Sequence, residues 1–389
     1  MDFTEEQKQF INHNSLNLIL DAPAGAGKTE TVAARVQRLH EQGKSVLLIC
    51  FTHSAERTLQ KRLDSAGINV KVRRVVSLAH EIVSEVFGED AFEIGDGSDL
   101  AKEVAVRGVA TAKQIIDLEG LIANGAPLPN SMTAATGEVF DSYVKLKQQR
   151  QYLSFIDLLL IANGLKQLDV DEIVVDEAQD LTSCHLNMIL SFGSRAITLA
   201  GDPGQALFGF SGVNPDLFSE LVGEGWDKVS LTRSFRVPEG ILPAVNVARS
   251  TPLSAVRSGG TIETMETDYK GVAVALERVL RPGDAVLGTR SAQLERVASR
   301  VAEQTTTPVS RSWDGGIKAG TAQFSTVHSA KGGEWNRVFI LDVGAQGIWT
   351  PMTVSEEDRR RIFYVAASRA LDTLILVKTG DELPWGMKS

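Results

Sequence analysis

Residues 16–36 read LNLILDAPAGAGKTETVAARV, a short apolar run, a turn of small residues and then a charged, helix-forming stretch. Leu16 to Leu20 have the length of a buried strand, and Val32, Val36 and Leu39 recur at helical spacing. A strand that passes through glycines directly into a helix points successive backbone N–H groups at one spot. The positive end of the helix dipole lies at that spot, and glycine lets a ligand approach the backbone closely. Ala24, Gly25, Ala26 and Gly27 are therefore expected to cradle an anion. In the phosphate-binding pattern G-x-x-x-x-G-K-[ST], Lys28 reaches β- and γ-phosphate oxygens and the Thr29 hydroxyl holds Mg²⁺. The first glycine of that pattern is replaced here by Ala22.

The 389 residues are enough for two or three domains, and 23% charged with 43% hydrophobic residues is ordinary for a globular protein. No apolar run approaches the roughly 20 residues of a membrane span, and the acidic opening MDFTEEQ is unlike a signal peptide. Cys50 and Cys184 lack metal-type spacing and suggest no disulfide framework. The expectation is a cytoplasmic protein with no membrane partner. A net charge of −9 argues against a protein that coats nucleic acid, yet leaves room for a local basic groove.

Strand candidates SVLLICF, EIVVD, AITLAGD, DAVLGTR, RVFILDV and TLILVK alternate with amphipathic stretches such as SAERTLQKRL and SAQLERVASRV. That alternation predicts an α/β protein with two parallel sheets, the break falling near residue 230. The least patterned region, about 85–150, is read as a small, mostly helical insertion in the first domain. At the end of EIVVD, where open α/β sheets collect ligands, stand Asp176 and Glu177. Asp176 is placed to hold Mg²⁺ and Glu177 to orient or deprotonate a water, although an acidic helix start would read the same way.

APAGAGKT, DEAQD, AGDPGQALFGFSG, LTRSFR, STVHSAKGGEW and FYVAASRA follow one another in this order. As an ordered set they resemble the motifs of superfamily 1 helicases of the UvrD/Rep type, and the resemblance runs from FTEEQKQFI to about residue 378. It implies two RecA-like P-loop domains, 1–230 and 231–389, that use ATP and Mg²⁺. Gln7 matches a glutamine that reads adenine, though it could be a solvated helix residue. Phe235 takes the place of an adenine-stacking tyrosine, and Glu334 matches a glutamate that binds ribose. Gln205 matches the residue that contacts the γ-phosphate and reports its loss. Arg236 and Arg369 resemble arginines that reach the γ-phosphate from the second domain.

For the nucleic acid, the resemblance assigns base contacts to Phe51, Phe208 and Phe210 and phosphate contacts to Thr52 and Ser77, with His328 near the strand path. Phe51 ends an apolar strand and could equally be core. Four positions depart from the pattern: Glu30 and Ser211 where relatives carry arginine, Val76 where many carry histidine, and Gly333 where leucine is usual. About 90 residues separate RSFR from STVHSAKG, which leaves no room for a large second accessory domain. The implied activity is a compact DNA helicase or translocase, moving 3′ to 5′ on single-stranded DNA and acting at single-strand/duplex junctions. The alternative is a DNA-stimulated ATPase that regulates a partner, such as a nuclease or a replication or repair factor.

Overall fold

The computed structural model describes residues 2–128, 132–207, 212–247, 249, 251–268, 270–314, 316, 318–341 and 355–379. Phe208, Phe210 and Ser211 lie outside them. Contacts within the chain define two compact units, Met1–Asp21 with Lys28–Leu231, and Ala22–Gly27 with Thr232–Ser389.

The first unit is built on six parallel strands in the order Val72–Arg74, Val46–Cys50, Glu172–Asp176, Ala196–Gly201, Asn17–Asp21 and Asp227–Ser230. Its central strands are apolar on both faces because both are covered, as a parallel sheet requires. Ile19, Ile49, Ile173, Val175, Ile197 and Leu199 pack on one face with apolar residues of the helices Val75–Phe87, Phe155–Ala162 and Ser183–Ser191. The alternate positions, among them Leu18, Leu20, Leu48 and Val174, are equally buried. The helix Lys28–Glu41 contacts three strands of the sheet. The insertion holds the helices Ser98–Val104, Ala112–Ala123 and Ala134–Gln149 and a two-stranded parallel pair, Glu93–Gly95 with Tyr152–Ser154. It has a small core of its own around Leu100, Ile115, Val139 and Tyr143.

Arg35 ties the amino-terminal helix to the sheet. From the helix Lys28–Glu41 its Nε pairs with Glu172 Oε1 at 2.9 Å, and one terminal nitrogen donates to the Phe10 and His13 carbonyls, each at 2.9 Å. Thr198 donates to the same Glu172 oxygen at 2.7 Å. Both charged groups are almost wholly buried, and burial lowers the arginine's affinity for its proton against the pull of Glu172.

The second unit is another six-stranded parallel sheet, in the order Thr261–Glu266, Ala370–Lys378, Trp335–Leu341, Ala285–Gly288, Ala322–Thr326 and Val309–Arg311. Val272, Leu276, Leu294, Ala298 and Val301, from the helices Val272–Glu277 and Ser291–Gln304, pack with Val286, Phe324, Phe339 and Ile375 of the strands. The residues between RSFR and STVHSAKG thus supply three of the six strands and both of these helices, with no separate accessory body among the described residues.

Removing one member of a buried ion pair strands the other, at a cost of about 3–5 kcal/mol. Arg35→Met is therefore expected to destabilise the first unit by that amount in chemical denaturation and to speed hydrogen exchange across the helix Glu5–Asn12. Arg38→Ala, which removes more exposed bonds to Ile11 and Asn14, should cost under about 1 kcal/mol. Equal costs would refute this role for Arg35.

Candidate functional site

Parallel strands end on the same edge of a sheet, and the pairing register says how level those ends are. Asp21 is opposite Gly201, and Asp176 is opposite Ala200. The turn after Asp21, Glu177 and Asp202 consequently leave the sheet side by side. Lys28, the first residue of its helix, pairs with Asp176 Oδ1 and lies 2.8 Å from Glu177 Oε1. Burial works against the Lys28 charge, but Asp176 and Glu177 outweigh it and hold the ammonium above its ordinary pKa. Burial pushes the Asp176 carboxyl up, Lys28 pulls it back, and the adjacent Glu177 charge pushes it up again, leaving it raised.

Glu177 has φ 58° and ψ 35°, in the left-handed region that residues other than glycine rarely occupy. Its Oε2 accepts from Gln179 Nε2 at 2.5 Å. Gln179 in turn accepts the Asp202 N–H at 3.0 Å, and Asp202 Oδ2 accepts from Gln205 Nε2 at 2.8 Å. The structure thus brings together Lys28, Asp176, Glu177 and Gln205 from the sequence-derived set. It adds Gln179 and Asp202, which stand inside the quoted DEAQD and AGDPGQ but have no obvious chemistry of their own.

In the turn, Gly25 and Gly27 have φ of 75° and 79°, and the Ala26 N–H closes onto the Pro23 carbonyl at 3.0 Å. Ala22 has no positive φ and is buried, so no glycine is needed there. Thr29 lies in the first turn of the helix, half-buried. Gln7 is buried and serves as half of a capping box. Its Oε1 accepts the Thr4 N–H at 2.9 Å, so it is not a solvated helix residue.

Within the second unit, Ala24 donates its N–H to the Tyr364 hydroxyl at 2.9 Å, and the Phe235 N–H donates to the Gly25 carbonyl at 2.8 Å. The Phe235 ring is exposed. Arg236 Nε pairs with Glu334 at 2.6 Å, so the residue matched to ribose binding holds an arginine. Arg369 is buried, donating to Val365 O, Gly333 O and Ser368 Oγ at 3.0, 3.3 and 3.1 Å. Trp335 explains the departure at Gly333: a Cβ there would strike its ring, which is anchored by a 2.5 Å bond from Nε1 to Gln323.

Among the residues matched to nucleic-acid contact, Phe51 and Thr52 have work in the fold. Phe51 is half-buried against the first unit's core and meets the His185 ring edge-on, with centroids 5.4 Å apart. The Thr52 hydroxyl caps the helix His53–Ser65 by accepting the Ala55 N–H at 3.1 Å. Ser77 and His328 are half-buried, and Val76 packs on the core. Glu30 pairs with Arg62, a partner that an arginine at position 30 would repel.

Two six-stranded parallel sheets, with a lysine–carboxylate cluster at the strand ends of the first, define a protein of two RecA-like P-loop units. Residues 7–211 match the AAA domain family, and residues 307–380 match the UvrD-like helicase C-terminal domain. The chain belongs to the superfamily 1 helicases of the UvrD/Rep type. It is 23% identical over 288 residues to the ATP-dependent DNA helicase PcrA of Leuconostoc citreum, covering 62% of this chain and 38% of that one. It is 23% identical over 258 residues to the ATP-dependent DNA helicase Rep of Buchnera aphidicola, covering 57% and 38%. A probable DNA helicase of Mycoplasma pneumoniae is 23% identical over 460 residues, covering 97% and 83%. The chain thus spans well under half the length of the first two relatives.

His185 gives the first unit a pH dependence. Burial lowers its pKa to about 4 from 6.5, while Nδ1 accepts the Thr182 N–H at 3.2 Å. Between those values the unfolded chain takes up a proton that the folded chain refuses. This contribution is therefore complete above about pH 6.5 and is lost as pH falls toward 4. Between pH 7 and 5, denaturation should show about 2 kcal/mol less loss in His185→Asn than in the wild type. Equal slopes in the two proteins would contradict the assignment.

Proposed function

We propose that this chain is an ATP-dependent DNA translocase and helicase, and that the edge formed by Lys28, Asp176 and Glu177 is its ATP-hydrolysing site. The observation that carries the reading is a buried ammonium held by two carboxylates where a glycine turn enters a helix. A triphosphate arriving at that turn offers Lys28 a competing anion. Once Lys28 turns to the β- and γ-phosphates, Asp176 is released to hold a divalent cation together with Thr29. The donor set fits Mg²⁺, a hard cation that takes one or two carboxylates with substrate phosphate. When bound, Mg²⁺ supplies charge neutralisation on the phosphate oxygens. Glu177 orients the attacking water and accepts its proton, and Gln205 contacts the γ-phosphate.

In the same reading Gln7 and Phe235 hold adenine and Glu334 the ribose. Arg236 and Arg369 stabilise charge on the transferred phosphoryl group. Arg369 must first give up acceptors that bury it. Phe51, Thr52, Ser77 and His328, with Phe208 and Phe210, are assigned to single-stranded DNA, with movement 3′ to 5′ as the resemblance implies. The compactness of the second unit favours a second reading, in which the chain is a DNA-stimulated ATPase that regulates a protein partner.

Purified wild-type protein should hydrolyse ATP faster with single-stranded DNA, and Lys28→Ala should reduce hydrolysis to background. Arg236→Ala should lower the stimulated rate by about 10³-fold. Strand separation on a 3′-tailed duplex by the chain alone decides for the helicase, whereas stimulated hydrolysis without separation decides for the regulatory reading. Hydrolysis indifferent to both DNA and Lys28→Ala would overturn the proposal.

A further inference from the structure

The Glu177 carboxylate is held at both oxygens. Lys28 lies 2.8 Å from Oε1, and Gln179 Nε2 donates to Oε2 at 2.5 Å. The first hold is lost when Lys28 turns to phosphate, while the Gln179 bond to Oε2 can persist. The Gln179 amide is nearly completely buried and bridges two directions at once, donating to Glu177 and accepting the Asp202 N–H at 3.0 Å. Asp202 continues the chain: Oδ2 accepts from Gln205 Nε2 at 2.8 Å, and Oδ1 accepts the Gly204 N–H at 3.1 Å. A carboxamide offers a donor and an acceptor in one plane, and this position uses both.

The surroundings leave that amide little freedom. A Cβ on Gly201 would strike the Gln179 carbonyl oxygen and crowd its backbone nitrogen, so glycine at 201 makes the space the amide occupies. Glu177 itself sits at a positive φ, a strained backbone that persists only where neighbours over-determine it.

We propose that Gln179 is a positioning residue that ties the orientation of Glu177 to the segment carrying Asp202 and Gln205. The inference rests on the reading of Glu177 and Gln205 given above. Displacement of Gln205 when the γ-phosphate leaves is transmitted through Asp202 to the Gln179 amide, and from there to the carboxylate that handles the water. Hydrolysis and water orientation are thereby linked inside one unit.

The test compares wild type, Glu177→Gln, Gln179→Leu and Gln179→Glu in steady-state ATP hydrolysis with single-stranded DNA across pH, alongside binding of a non-hydrolysable ATP analogue. Gln179→Leu should lower kcat by about 10²-fold, the scale of a misplaced catalytic group, with analogue affinity nearly unchanged. Gln179→Glu repels Glu177 when ionised but, when protonated, reproduces both bonds of the amide. Its kcat relative to wild type should therefore rise as pH falls. A merely structural role would lower kcat and analogue affinity together and leave the ratio of Gln179→Glu to wild type flat across pH. An active wild type and inactive Glu177→Gln, with Gln179→Leu matching wild type in kcat, would overturn this proposal alone. Should Gln179→Leu fail to fold, a Gln179→Glu profile parallel to wild type would do the same. An unaffected Glu177→Gln would overturn the underlying reading of the site.

Discussion

An ammonium pressed against two carboxylates at the carboxyl edge of a parallel sheet is costly unless each charge compensates another. Lys28 meets that condition between Asp176 and Glu177, where their negative charge more than offsets burial. The cluster thus sets one ammonium against two carboxylates at a single sheet edge. The sheet makes the cluster possible, because the register that sets Asp21 opposite Gly201 and Asp176 opposite Ala200 brings three strand ends level.

The surrounding structure holds this edge through contacts distant from it. Arg35 binds Glu172 at the opposite end of the strand that delivers Asp176, and through the Phe10 and His13 carbonyls it fixes the segment containing Gln7. Gln179 and Asp202 connect two neighbouring strand ends by side-chain and backbone hydrogen bonds. In the second unit the same economy appears in Glu334, which holds Arg236, and in Trp335, whose ring takes the space above Gly333.

Much of this was legible in the sequence where burial on both faces leaves an unbroken apolar run. EIVVD coincides with the strand Glu172–Asp176, and VLLIC, ITLA and LILV lie within strands of the two sheets. Four strands left unread, Val72–Arg74, Asp227–Ser230, Thr261–Glu266 and Val309–Arg311, are sheet edges, short or half-exposed, whose polar residues hide the pattern. Ala322–Thr326 escaped for another reason, since Gln323 and Ser325 are polar yet buried. At the site, Lys28 and Asp176 were readable because their chemistry is distinctive. Gln179 was not, because an amide acquires meaning only from the partners that folding sets on either side. Thr52 likewise takes on a role that its sequence context does not announce, its hydroxyl capping the helix His53–Ser65.

The central claim is that the edge bearing Lys28, Asp176 and Glu177 receives a nucleoside triphosphate together with a divalent cation. The most direct measurement is calorimetric titration of a non-hydrolysable ATP analogue into the wild-type chain, with Mg²⁺ and with chelator, repeated on Asp176→Asn. The account predicts saturable binding at one site that weakens sharply when either Mg²⁺ or the Asp176 carboxylate is removed. Absence of binding, or binding indifferent to both removals, would contradict it.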